Sequence, residues 1–169
     1  QISLDGGAAA SHDQIRGTGT FDQALRNVAE LVERGFDTRI ICTVNRVNVG
    51  DCLNLLDIAD EIGVSLVKFH VFSVIGSGHG AAEWGMQPTE WITFYEQLER
   101  VAPCYQTRVS YQPTYARRDR LAGYAADGYR GCIGRTLDRI SIFPDGRAYV
   151  CSFLFDTDLH FANMIDGQI

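Results

Sequence analysis

The chain has 169 residues and a formal net charge of −6, with 46% hydrophobic and 21% charged residues. This length fits about one domain with a sizeable core, and the composition argues against disorder. No apolar run approaches the roughly 18–20 residues that a membrane span needs. No basic stripe predicts a nucleic-acid surface. We therefore expect neither a membrane nor a nucleic acid as a partner.

The two ends of the sequence lack the usual features of chain termini. The chain starts at Gln1 within a strand-like run, without an initiator Met or a signal-peptide pattern. It stops at Ile169 without a terminating element. We expect an internal piece of a longer chain.

The cysteines are odd in number and widely spaced. No two of them form a CxxC pair, and the chain is not short and cysteine-dense, so a secreted disulfide framework is not predicted. Reduced thiols in a cytoplasmic protein fit better, some of them as metal ligands. The five are Cys42, Cys52, Cys104, Cys132 and Cys151.

The first elements in chain order are a strand, a loop and a helix. Residues 2–4 form a strand-like run stopped by Asp5-Gly6-Gly7, and a polar loop follows to residue 19. Apolar residues at spacings of three and four then predict a helix over about 21–34. Thr20 is its expected N-cap, with Gln23 completing a capping box.

The strand–helix alternation continues to about residue 102. Residues 39–44 are nearly continuously apolar, which predicts a strand buried on both faces, and residues 64–72 repeat that pattern. A single histidine in such a strand, His70, is expected to be a core residue more often than a ligand. The helices between and after these strands are predicted from a cap at Asp51 to a stop at Gly63, and over about 90–102 after a cap at Thr89.

This order predicts βαβ units and a parallel sheet, either open or closed into a barrel. In such folds the loops at the carboxyl ends of the strands build the site. We therefore expect function around residues 3–19, 43–50 and 70–85.

The last third of the chain changes character. Residues 108–112 read as one more strand, and we place a domain boundary near residue 113. Two alternating runs, 139–143 and 147–151, flank Pro144-Asp145-Gly146 and predict a β-hairpin.

Cys132 and Cys151 lie before and at the end of this hairpin. A hairpin brings such positions near each other, as a shared metal or cluster requires. Two buried thiols that pack as small hydrophobic residues explain the same spacing. Two ligands do not complete a metal site, so spacing leaves both interpretations open.

The first loop carries a second polar group. Ser3 and Asp5 share a strand face that points towards the strand's carboxyl end, and His12, Asp13 and Arg16 are expected on the loop above it. They form either a ligand site or a loop held by its own hydrogen bonds and one ion pair. No P-loop or GxGxxG fingerprint occurs in its proper context.

Several segments resemble radical S-adenosylmethionine enzymes that carry a SPASM or twitch auxiliary-cluster domain. Residues 2–6, 12–17 and 19–22 are similar to the fourth-strand region of that family. Residues 43–48 resemble its fifth strand and 67–72 its sixth. The spacing from Cys132 through Pro144-Asp145-Gly146 to Cys151 resembles the opening of a SPASM-type motif.

The resemblance implies an α/β fold: residues 1–112 as the C-terminal half of a partial (β/α)6 TIM-like barrel, then residues 113–169 as a linker and the start of the SPASM/twitch domain. Cys132 and Cys151 would be ligands of an auxiliary [4Fe-4S] cluster. The serine on the fourth strand would contact the methionine or ribose part of S-adenosylmethionine, and backbone after the sixth strand would flank the adenine. The implied cofactor-binding residues are Ser3, Asp5, Arg16, Asn45, Val71 and Phe72.

The implied activity is reductive cleavage of S-adenosylmethionine at a [4Fe-4S] cluster, giving a 5′-deoxyadenosyl radical that abstracts hydrogen from a substrate such as a precursor peptide or protein side chain. Flavodoxin or ferredoxin would donate the electron. The radical-generating CxxxCxxC motif is absent from this sequence, so the chain alone is expected to be inactive. The alternatives are a non-radical α/β-barrel enzyme and a non-catalytic metal-binding or interaction module with structural cysteines.

A group of aromatic and basic residues either lines a peptide channel or belongs to a solvated, partly packed linker. These residues are Tyr105, Tyr111, Tyr115, Tyr124, Arg117 and Arg118.

Overall fold

The computed structural model describes residues 1–111, 113–120, 122–123, 140–155 and 157–165. The chain divides into two compact units, Gln1–Ala116 and Arg117–Ile169.

The first unit is built on a four-stranded parallel sheet in the order β1-β2-β3-β4. Its strands are β1 (Ile2–Ser3), β2 (Arg39–Val44), β3 (Leu66–Val71) and β4 (Arg108–Tyr111). Its helices are α1 (Ala9–Arg16), α2 (Thr20–Glu33), α3 (Leu55–Ile62) and α4 (Pro88–Val101). The mixed α/β class with a parallel sheet is therefore confirmed.

The helices pack against one face of this sheet. On β2, Ile40, Cys42 and Val44 are fully buried, whereas Ile41 and Thr43 are only partly buried. On β3, Val67 and Phe69 are buried with side chains from α2, α3 and α4. The prediction that these strands are buried on both faces is wrong for the described chain, because no described helix covers the second face.

The opposite face of β3 carries the residues that alternate with this core. Lys68 is partly buried and His70 is exposed. The prediction that His70 is a core residue is therefore wrong. The strand's period of two places it on the uncovered face.

The segment predicted as a polar loop contains α1, and this helix changes how α2 is capped. Gly19 (φ 79°) is the N-cap residue of α2, and Thr20 is already helical. The carboxylate of Asp13 accepts the backbone N–H groups of Gly19 at 2.6 Å and Phe21 at 2.9 Å. The predicted capping box at Thr20 and Gln23 is wrong, because a carboxylate from the preceding helix satisfies these donors.

The other helix ends agree with the sequence in part. Gly63 (φ 86°) ends α3 as predicted, in the left-handed conformation that glycine adopts at little cost. Asp51 makes no cap with its side chain. The helix α4 begins at Pro88, and the side chain of Glu90 accepts the backbone N–H of Gln87 at 2.6 Å, so Gln87 rather than Thr89 precedes it.

The second unit contains a three-stranded antiparallel sheet in the order β5-β6-β7. The strands are β5 (Ser141–Ile142), β6 (Arg147–Tyr149) and β7 (Ala162–Asn163). The predicted hairpin is confirmed: Ile142 pairs with Ala148, and Gly146 takes the turn at φ 81°. Tyr149 is fully buried and contacts Phe143 edge-on.

Across the described residues, every helix is too short or too polar to cross a membrane.

Candidate functional site

Asp5 lies just after β1 and joins three elements. Its side chain is 2% exposed. One carboxylate oxygen accepts the backbone N–H of Thr43 at 2.7 Å, and the other accepts the Nε–H of Arg16 at 2.6 Å. Both oxygens therefore have partners within the protein, so Asp5 connects the ends of β1 and β2 and orients Arg16.

Arg16 ends α1 and lies partly in solvent. Its side chain is 42% exposed, and the described contacts engage only its Nε. A guanidinium held in this way keeps its terminal N–H groups for a second anion, which it can bind through two parallel hydrogen bonds. The arrangement therefore fits a carboxylate or phosphate ligand.

His12 holds the turn after β1 through a hydrogen bond to its backbone. It is 1% exposed, and its Nδ1 accepts the backbone N–H of Asp5 at 2.9 Å. This hydrogen bond assigns the neutral tautomer that carries its proton on Nε2. Burial lowers the pKa of His12, partly opposed by the charges of Asp5 and Asp13. His12 is thus a neutral positioning residue at pH 7.

Asn45 and Asn48 build the loop after β2. Both are buried. The Oδ1 of Asn45 accepts the backbone N–H of Val47 at 2.8 Å, and its Nδ2 donates to the carbonyl of Thr43 at 3.2 Å. Asn48 accepts the backbone N–H of Asn45 at 2.8 Å. The structure thus uses the Asn45 amide to shape the loop, and its cofactor contact stays a prediction.

Ser11 and Asp51 join α1 to the loop after β2, a role that the sequence did not indicate. The hydroxyl of Ser11 donates to Asp51 at 2.6 Å, and the other carboxylate oxygen of Asp51 is buried without a described partner. A Cβ on Gly7 would lie 2.5 Å from the backbone oxygen of Asp51. The Asp5-Gly6-Gly7 turn signal is thus also a close-packing requirement.

The remaining expected cofactor positions lie along the sheet. Ser3 is exposed and pairs in register with Ile41. Val71 ends β3 beside Val44, and the backbone N–H of Phe72 donates to the carbonyl of Val44 at 3.2 Å. The structure therefore brings Asp5 and Arg16 into contact, whereas Ser3 on β1 and Val71 and Phe72 at the end of β3 have no described contact to that pair.

The cysteines divide into different environments. Cys42 and Cys52 are fully buried. The pKa of the Cys42 thiol is raised well above its ordinary value, mainly by a hydrogen bond with Cys52 and secondly by burial. Cys104 is exposed. Cys151 is half-buried and lies two residues after the end of β6, whereas Cys132 lies outside the described residues. Within the described ranges, no group of three or more His, Cys, Asp or Glu residues could hold a metal ion.

Two of the four tyrosines expected in a peptide channel or a linker donate described hydrogen bonds to acidic side chains. The hydroxyl of Tyr105 donates to Asp57 at 2.8 Å, and that of Tyr111 donates to Glu99 at 2.7 Å. Tyr115 packs partly against the core. Tyr124 lies outside the described residues.

Sequence comparison finds relatives for much of the chain. It is 36% identical over 102 residues to the mycofactocin maturase MftC of Mycobacterium ulcerans, covering 58% of this chain and 27% of MftC. It is 25% identical over 168 residues to the AdoMet-dependent heme synthase of Methanosarcina barkeri, covering 90% of this chain and 47% of that protein. The chain thus spans less than half the length of these curated relatives. No protein-family model matches it.

Solved structures share the fold. Streptococcus suis SuiB bound to the precursor peptide SuiA superposes with a TM-score of 0.64 at 11% identity, covering 90% of this chain and 36% of SuiB. Native anSMEcpe with bound AdoMet gives a TM-score of 0.65 at 17% identity, covering 99% of this chain and 47% of that protein.

Proposed function

We propose that this chain belongs to a protein that reductively cleaves S-adenosylmethionine. The premise is its resemblance to radical S-adenosylmethionine enzymes, the class that includes its sequence relatives and structural neighbours. The sheet β1–β4 is then the C-terminal half of a partial barrel, and residues 113–169 begin a SPASM/twitch-type domain. Cys132 and Cys151 are ligands of an auxiliary [4Fe-4S] cluster in this proposal.

The Asp5–Arg16 pair is the observation that carries the proposal. A buried carboxylate holds a partly exposed guanidinium at the carboxyl end of β1, where parallel folds place their ligands. The free terminal N–H groups of Arg16 suit the carboxylate of the methionine part of the cofactor. Ser3 lies two residues before Asp5 and contacts the methionine or ribose part.

The other expected residues shape the cofactor's surroundings. Asn45 holds the loop after β2 through its own amide. The backbone of Val71 and Phe72 flanks the adenine. The phenyl ring of Phe72, 6.3 Å from the ring of Trp84, helps to exclude water from that side.

When bound, the cofactor and a reduced [4Fe-4S] cluster supply a 5′-deoxyadenosyl radical for hydrogen abstraction. This sequence contains no CxxxCxxC, so we propose that the chain alone is inactive. The names of MftC as a maturase and of SuiA as a precursor peptide support a peptide or protein substrate. Flavodoxin or ferredoxin is the proposed electron donor.

The activity test uses the protein joined to the segment that supplies CxxxCxxC, reconstituted anaerobically with iron and sulfide. We expect 5′-deoxyadenosine from the wild type with dithionite. Arg16→Met should weaken S-adenosylmethionine binding about tenfold or more, as loss of a charge-assisted hydrogen bond does. Arg26→Met, on the exposed side of α2, is the matched control. A wild type with bound iron that forms no 5′-deoxyadenosine would favour the metal-binding module instead.

The auxiliary cluster is tested separately by iron analysis. Replacing both Cys132 and Cys151 by Ala should remove about four iron atoms, those of one [4Fe-4S] cluster. Cys104→Ala, at an exposed thiol, should leave the iron content unchanged. Unchanged iron in the double variant would make Cys132 and Cys151 structural.

A further inference from the structure

The uncovered face of the sheet β1–β4, here called the open face, carries polar side chains in rows across the strands. Parallel sheets are usually buried on both faces. Here the helices that the structure describes pack against the face of Ile40 and Val67. The strand register places three rows on the open face. They are formed by Arg39, Leu66 and Arg108, then by Ser3, Ile41, Lys68 and Ser110, and then by Thr43 and His70.

Lys68 stands out on this face because it is the only lysine in the chain. The 15 basic residues are Lys68 and arginines. Lys68 is partly buried in the middle of the sheet, between Ile41 of β2 and Ser110 of β4. Among the described residues no carboxylate forms an ion pair with it.

The electrostatic surroundings of Lys68 favour an anion. The chain as a whole carries a net charge of −6. The described strand residues of the open face nevertheless include no acidic side chain. Asp5 follows β1 on the same face, and its two carboxylate oxygens already accept hydrogen bonds from Thr43 and Arg16. His70 follows two residues later on the same face and carries hydrogen-bonding nitrogens. A positive centre on a partly dry surface without a partner attracts an external carboxylate.

We propose that Lys68 binds a carboxylate group of the substrate on the open face, with His70 as a neighbouring hydrogen-bonding group. This rests on the proposed function, and it assigns the substrate to carboxylate-bearing molecules. A lysine ammonium suits this task because it is a compact charge on a flexible stem that follows a substrate of variable position.

The same chemistry occurs in S-adenosylmethionine, whose methionine part also carries a carboxylate. That carboxylate is assigned to Arg16 beside β1, and Lys68 lies two strands away on β3. Adjacent strands are about 4.8 Å apart, so the two strands are about 10 Å apart. The proposal therefore assigns separate cations to the cofactor and the substrate.

The experiment uses equilibrium dialysis to measure the binding of radiolabelled hexanoate to the reconstituted protein loaded with S-adenosylmethionine. Hexanamide, which has the same shape without the charge, is the neutral probe. We expect Lys68→Met to weaken hexanoate binding about fivefold or more, and Lys68→Arg to retain most of it. Hexanamide binding and the dissociation constant for S-adenosylmethionine should not change. Arg26→Met controls for net charge, and thermal melting verifies that each variant is folded.

Three results would overturn the proposal. They are equal hexanoate binding by wild type and Lys68→Met, equal binding of hexanamide and hexanoate by the wild type, and loss of S-adenosylmethionine binding in Lys68→Met, which would assign Lys68 to the cofactor. Formation of 5′-deoxyadenosine by the wild type is measured in parallel. Its absence together with Lys68-dependent hexanoate binding would reject the radical reaction while retaining the carboxylate site.

Discussion

The two faces of the sheet β1–β4 are made by the same strands but differ in chemistry. Ile40, Cys42 and Val67 lie under the helices and are fully buried, whereas their chain neighbours Ile41 and Lys68 lie on the open face and are only partly buried. Successive strand residues point to opposite faces. One face can therefore hold the fold together while the other carries polar groups for a ligand, without any change of backbone.

The largest expected effect compares Ile40 with Ile41, which are the same residue type on opposite faces. Ile40→Ala should lower the free energy of unfolding by about 3 kcal/mol, because it removes a fully buried side chain and leaves a cavity. Ile41→Ala should cost less than about 1 kcal/mol, because its site is already partly in solvent. Urea denaturation of the 169-residue chain measures both. Equal losses would mean that the open face is as well packed as the covered one.

A smaller effect is expected at Asp5, where the polar groups at the end of β1 also stabilise the fold. Asp5→Asn should lower the free energy of unfolding by about 2 kcal/mol, because it weakens charge-assisted hydrogen bonds to Thr43 and Arg16. It should also weaken S-adenosylmethionine binding as Arg16→Met does. Glu61→Gln removes an exposed carboxylate from α3 and is the control. Full stability in Asp5→Asn would show that the network serves the ligand alone.

The smallest expected effect concerns the exposed cap of α2. Asp13→Asn should lower the melting temperature by a few degrees, and Thr20→Val by less, because the Asp13 carboxylate accepts two backbone N–H groups. These hydrogen bonds lower the pKa of Asp13. Its stabilisation is therefore complete above the ordinary carboxyl pKa and is lost as the pH falls through the lowered pKa. Melting curves from pH 7 to pH 2 should be flatter for Asp13→Asn, and a larger loss in Thr20→Val would restore the capping-box interpretation.

Local patterns located most of the elements. Strand β2 occupies the predicted residues 39–44, Gly63 ends α3, and the hairpin turn lies at Pro144-Asp145-Gly146. These signals depend on residues close together in the chain, such as a β-branched run or a glycine with positive φ. The helix α1 was missed because residues 9–16 are mostly small or polar and lack a strong apolar period.

The sequence indicated some contacts of the candidate site but not others. The sequence indicated that Asp5, His12 and Arg16 would meet after the first strand, and the structure brings Asp5 into contact with both of the others. It did not indicate that Asp5 would have both oxygens occupied, or that Asn45 would use its amide inside its own loop. The partners of Asp5 come from β2 and from α1, and Thr43 lies 38 residues away along the chain, a separation that no local pattern reports.

The sequence by itself determined the alternation of strands and helices, the end of the sheet where polar residues collect, and the resemblance to radical S-adenosylmethionine enzymes, because each depends on short-range spacing or on motifs. Only the tertiary structure decided which face of each strand is covered. Burial depends on which helices pack against the sheet, and an apolar strand looks alike whether one or both faces are covered. The same packing leaves Lys68 on the open face, where its charge remains available to a ligand.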